Sequence, residues 1–241
     1  MSLDNWARPY LQECPYKPFL FYAVLGRFEV DEQFQEATSV LPAGLDLRVV
    51  EGGFFRDGVS WELCKKDFPE VAKQAEDCPQ AVVLKGAVES QDSLDYLKGT
   101  LDFLTFLTDV GGEVVYDPFA LNWYSAADWN ALMDEGQIFN PFDHTVVLLS
   151  EEPEGTWLHT RGMLKFGRPD LSVRGLSGAR VEQMKKVLDR FIGFQALGGV
   201  VETGREIMLD GKDTGYRPGE VVGSLEDPEF NNYHVELTYE S

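Results

Sequence analysis

Residues 157–173 read Trp-Leu-His-Thr-Arg-Gly-Met-Leu-Lys-Phe-Gly-Arg-Pro-Asp-Leu-Ser-Val, the densest run of groups in the chain that could do chemistry. If 156–160 is a strand, the period of two puts Trp157 and His159 on one face and Leu158 on the other. His159 then lies near the strand's end. Gly162 and Gly167 permit tight backbone geometry, and Pro169 biases Arg168 towards an extended conformation. Asp170 follows His159 by eleven residues, far enough for the chain to fold back. His159 could then act as a general base with Asp170 orienting its imidazole. Arg161, Lys165 and Arg168 could hold an anion, the arginines bidentately. The same residues also suit an architectural turn: His159 satisfying a buried carbonyl, Phe166 plugging the core, and 168–170 setting the loop. Both readings stand at this point, because no separate nucleophile or metal set accompanies the histidine.

Other familiar chemistries lack their residues. There is no GxxxxGK[ST] phosphate loop, no GxGxxG after a strand, no GxSxG nucleophile elbow and no HExxH. Asp210-Gly-Lys-Asp-Thr-Gly215 has a glycine at the sixth place of a calcium loop, but Lys212 and Val221 occupy the third and twelfth. That segment is expected to be a surface turn. His144, His159 and His234 could chemically hold a metal, yet their spacing does not argue for it. Glu113, Asp117, Glu206 and Glu236 sit in or beside expected strands, as some carboxylates must in a chain with 41 acids. No metal and no cofactor is expected.

The chain has 241 residues, enough for one large domain or two small ones. Its net charge of −20 repels nucleic acid and anionic lipid, so neither is an expected partner. The balance is uneven. Residues 161–190 hold eight bases against three acids, a local +5 against −25 elsewhere. That segment is either a helix face ion-paired to the acidic remainder or a site for an anion or acidic partner. Three cysteines without a CxxC pair argue against a disulfide framework. No signal peptide or membrane span is legible, so a cytoplasmic location is expected.

The elements that must position these residues follow from periodicity and punctuation. Strands are expected at 19–25, 45–50, 59–63, 81–88, 113–116, 145–149, 156–160, 170–173, 206–209 and 234–239. Helices are expected after Asp31, from Asp67-Phe68-Pro69, over 93–108, after Ser125-x-x-Asp128 and after Ser177. The first half alternates strands with helices, and the second clusters strands. The fold class expected is therefore α+β, with mixed sheets packed against helices. Asn140-Pro141 marks a boundary between an N-terminal lobe at 1–140 and a C-terminal lobe at 141–241, with one continuous domain as the alternative. A faint echo, Phe103-x-x-Phe106 before Gly111-Gly112 and Phe191-x-x-Phe194 before Gly198-Gly199, fits either two related lobes or ordinary helix termination.

The pattern His159-Thr160-x-Gly162-(x)3-Phe166-Gly167-x-Pro169-Asp170-Leu171, with Trp157 before it, resembles bacterial families of uncharacterised domains. Tyr116-Asp117-Pro118 and Ser125-x-x-x-Trp129 are similar to a stretch upstream in those families, so the resemblance covers 101–176. It implies a compact α+β bacterial protein with no established activity, and it brings no role to His159. The expected function is a non-enzymatic binding or interaction module, its partner an unidentified protein or a small anionic ligand held at Arg161, Lys165 and Arg168. The alternative is a hydrolase-like enzyme that uses His159 as base, Asp170 as its orienting group and an anionic substrate.

Overall fold

In the computed structural model the structure describes residues 6–29, 31–135, 139–227 and 230–240. The chain is α+β and divides into two units. One comprises Ser2–Ala7 together with Phe19–Asn140; the other is formed mainly by Arg8–Pro18 and Pro141–Ser241.

The unit holding Phe19–Asn140 is built on the apolar run β1 (Phe19–Gly26). Then come α1 (Glu32–Thr38), β2 (Leu45–Glu51), α2 (Gly58–Asp67), α3 (Pro69–Asp77), β3 (Gln80–Ala87), α4 (Asp95–Asp109), β4 (Gly112–Asp117), β5 (Asn122–Ser125) and α5 (Ala126–Glu135). Asp31 caps α1 by accepting from the Phe34 amide at 2.9 Å. Ser125 caps α5 by accepting from the Asp128 amide at 3.1 Å. Its hydroxyl in turn donates to the Asp128 carboxylate at 2.6 Å. The sheet runs β2-β3-β1-β4-β5 with every pair antiparallel. Trp61 and Cys64 of α2 and Val71, Ala72 and Ala75 of α3 bury against Ala23, Leu25, Val114 and Trp123 of the sheet.

One expected strand is a helix instead. Residues 59–63 lie inside α2, where Trp61 and Cys64 point inward three residues apart and Val59 is 77% exposed. An alternating five-residue window read as a strand, but over the longer segment the helical spacing of the two buried residues wins.

The unit holding Pro141–Ser241 contains β6 (Val146–Glu152), β7 (Gly155–Arg161), β8 (Asp170–Leu176), α6 (Ala179–Ala196), β9 (Met208–Leu209), β10 (Lys212–Asp213), β11 (Tyr216–Val222) and β12 (His234–Tyr239). Its main sheet runs β11-β12-β8-β7-β6 and is mixed, because β12 and β8 are parallel. Met184, Val187 and Leu188 of α6 bury against Leu158, Leu171, Val173, Val235 and Leu237. The N-cap of α6 is Gly178 rather than Ser177, at φ 54° and ψ −127°, a conformation that suits glycine. Asp210 and Gly211 form the expected surface turn. Leu209 pairs with Lys212, and both turn residues have positive φ, the geometry of a two-residue hairpin. The internal echo resolves into ordinary helix termination. Gly111 leads directly into β4, whereas Gly198-Gly199 leads into an irregular segment.

Candidate functional site

β7 is flanked by β6 and β8, with His159 opposite Leu148 on one side and Ser172 on the other. After Arg161 the chain turns at Gly162 (φ +107°), makes one short helical turn over Met163–Phe166, and leaves through Gly167 (φ +63°) into β8. A Cβ on Gly162 would meet the His144 carbonyl oxygen at 2.5 Å. Gly162→Ala is therefore expected to cost about 2 kcal/mol, combining left-handed strain with a backbone clash. Urea denaturation measures it, and a loss below about 0.5 kcal/mol would show that the turn shifts freely.

His159 is 5% exposed and sits in an aromatic box. Its ring stacks on Trp157 at 4.1 Å and 30°, and meets Phe230 edge-on at 4.8 Å and 85°. Trp157 is fixed by its Nε1–H, which donates to the Ser172 hydroxyl at 2.8 Å. Among the described residues the Nδ1 of His159 has no hydrogen-bond partner. Burial, helped by Arg161, Arg174 and His234, pushes the imidazole down to about 4, so it is neutral at pH 7. Phe230 also meets His234 edge-on, at 4.5 Å.

Asp170, fully buried, is committed elsewhere. Its Oδ1 accepts from the Thr160 hydroxyl at 2.9 Å and from the Met163 amide at 3.2 Å, and its Oδ2 accepts from the Asn232 side-chain amide. The Thr160 oxygen accepts in turn from the Leu171 amide at 2.9 Å. Burial raises the carboxyl to about 7, and the Thr160 and Met163 hydrogen bonds with Arg161 and Lys165 offset only part of that. The expected His159–Asp170 dyad is thus not formed: Thr160, the next residue along the strand, has taken the carboxylate. A general base needs an oriented imidazole, and no carboxylate orients this one, which lies between two rings.

The expected anion-binding set also turns inward. Lys165 is completely buried and its Nζ donates to the His144 carbonyl at 2.7 Å. His144, likewise buried, is pushed down to about 3 by burial and then by Lys165. Arg168 is 1% exposed and donates to the carbonyls of Gly199 (2.8 Å), Gly167 (2.9 Å), Gln12 (2.9 Å) and Gly198. Arg8 donates to the Phe166 carbonyl at 2.7 Å. Arg161 is half-buried, and holds the Phe230 carbonyl at 3.3 Å and the Asn231 side chain at 2.8 Å. These cations serve as internal donors to backbone oxygens, so a convergent surface for an anion is not assembled from them. Much of the remaining local positive charge is neutralised or stacked. Arg174 pairs with Glu152 at 2.8 Å and lies 4.0 Å over the Trp157 ring. Arg180 lies 4.3 Å over Tyr239, Lys185 pairs with Glu182 and Arg190 with Asp210.

Sequence reasoning missed Thr160, Asn232, Phe230 and Arg8. Thr160 stood inside the motif, where a hydroxyl beside a turn is a candidate cap. Asn232, Phe230 and Arg8 lie 62, 71 and 151 residues from Asp170, His159 and His159 in the chain, and only the fold joins them to the motif. Among the described residues no group of three or more His, Cys, Asp or Glu side chains is placed to hold a metal ion. No described helix is long and apolar enough to cross a membrane. Comparisons with protein families, with curated proteins and with solved structures return no match.

Proposed function

We propose that this chain is a cytoplasmic, non-enzymatic binding protein whose partner is a protein of positive charge. One observation carries the reading: Asp170 is spent on Thr160, Met163 and Asn232 while His159 is buried between Trp157 and Phe230, which supports a structural role for both groups. The net charge of −20 supports the sign of the partner, because such a field accelerates encounter with cations and disfavours nucleic acid and anionic lipid. A small anion is less well supported, since Lys165 and Arg168 face backbone carbonyls. The hydrolase alternative is tested with p-nitrophenyl phosphate, sulfate and acetate. Wild type and His159→Gln are both expected to release nitrophenol at the rate of the buffer blank. Release by wild type that His159→Gln abolishes would establish an enzyme and overturn the proposal.

A further inference from the structure

A cleft of about 290 Å³ opens between α6 and the irregular segment that follows it. Phe191 and Phe194 of the helix form one wall, Val201 and Ile207 face them, and Met208 stands at the rim, 49% exposed. This volume is at the small end of ligand sites and suits one or two large side chains better than a cofactor. The rim carries Arg190, Arg205, Glu202 and Glu206. Both arginines are already neutralised, Arg190 by Asp210 at 2.7 Å and Arg205 by Glu202 at 3.1 Å. Arg217, the next cation along this side, is held by Asp213 at 2.6 Å and by Glu240 at 3.6 Å. Glu206 makes no ion pair within 4 Å among the described residues, and its charge adds to the field that raises Arg217. The cleft therefore combines two aromatic side chains with one carboxylate outside any close ion pair.

We propose that this cleft is the docking site for a basic partner protein, which inserts an aromatic or large apolar side chain flanked by lysine or arginine. The inference deepens the binding reading above and rests on it. Charge complementarity selects this occupant: the apolar walls take the anchor, Glu206 takes the neighbouring cation, and the long-range field of a −20 chain favours a macromolecule bearing several positive charges.

The test follows the Met208 methyl resonance of the full-length protein, carrying ¹³C-methyl methionine, during titration with three acetylated, amidated tripeptides: Lys-Phe-Lys, Lys-Ala-Lys and Glu-Phe-Glu. 2-Phenylethylamine supplies a free small-molecule arm. Lys-Phe-Lys is expected to shift Met208 saturably. Lys-Ala-Lys should leave it unmoved for lack of an anchor, and Glu-Phe-Glu should bind at least about tenfold more weakly through charge repulsion. Glu206→Gln, an exposed and fold-neutral change, should weaken Lys-Phe-Lys about threefold to fivefold, as expected for one solvent-exposed ion pair. A Met208 signal indifferent to Lys-Phe-Lys overturns the site. Equal binding of Glu-Phe-Glu, or no effect of Glu206→Gln, overturns its charge selectivity. Phenylethylamine binding as tightly as Lys-Phe-Lys assigns the cleft to a small amine and overturns the protein partner. These outcomes are independent of nitrophenol release, which tests the hydrolase alternative.

Discussion

Arg168→Met is expected to lower the unfolding free energy by about 4 kcal/mol, the largest single-residue effect anticipated outside the apolar core. The guanidinium is buried and gathers carbonyl oxygens from Gln12, Gly167, Gly198 and Gly199, three separate stretches of chain. Methionine fills much of the volume, so a cavity contributes little. The cost comes from buried acceptors that lose a charged donor, at about 1–3 kcal/mol for each one that finds no replacement. Replacing a whole buried ion pair by apolar residues can be harmless, but here the acceptors are backbone and cannot be removed with the cation. Arg168→Lys should recover less than half of the loss, since an ammonium on a single stem cannot span the fork. Urea midpoints at unchanged m-value measure both. An Arg168→Met protein within about 1 kcal/mol of wild type would show that the carbonyls are satisfied without the arginine.

The second large effect is a pH dependence with opposing contributions. Asp170 titrates at about 7 in the folded protein against an ordinary 3.8. Between those values the folded state holds a proton that the unfolded state has lost. Its contribution to stability therefore falls as pH rises from about 4 to 7, by about 1.4 kcal/mol per unit. His159 and His144 act in the reverse sense. Their folded values, about 4 and about 3, lie below the ordinary 6.5. Over the interval from about 4 to 6.5 the unfolded state binds those protons, so their contribution rises with pH. Asp170→Asn isolates one side. The asparagine oxygen still accepts from Thr160 and Met163, and the titration disappears. The stability difference, variant minus wild type, should increase with pH by about 1.4 kcal/mol per unit between pH 4 and 7 and be flat above that range. Denaturation at half-unit pH steps reads it directly. A difference that is constant across the interval, or that falls, would show that Asp170 is charged in the folded protein at acid pH.

Local rules made much of the framework legible. The limits of β12 follow from its alternation, and the caps at Asp31 and Ser125 follow from their spacing. The strands that went unseen have identifiable reasons. β11 carries Pro218-Gly219 and a register shift between Pro218 and Val221, features tolerated because it is an edge strand but which erase the alternating pattern. β5 has four residues, too few for a period to show. The site was legible as a turn, and the sequence left a catalytic reading open beside it. The glycines, the proline and the strand end were where expected. The roles of the charged residues depended on partners, such as Gln12 and Asn232, that sequence spacing does not reveal. A basic segment reads the same whether its cations face solvent, carboxylates or carbonyls. Only the fold decides, and here burial chose carbonyls for Lys165 and Arg168.

The discontinuous unit also has a consequence for biosynthesis. Gln12 accepts from the Val200 amide through its side chain at 2.8 Å, and its carbonyl accepts from Arg168. Residues 8–18 thus find these partners only after about 156–188 further residues have been made, a wait of roughly 8–40 s at ordinary elongation rates. Meanwhile Phe19–Asn140, whose sheet pairs only with itself, has all its strands available. The segment Arg8–Pro18 is made before the residues that hold it and is ordered late, rich in proline and without a strand or helix of its own to form in the interval. A nascent chain stalled before Gly198 should be cut by protease within 8–18 and spared within the antiparallel sheet.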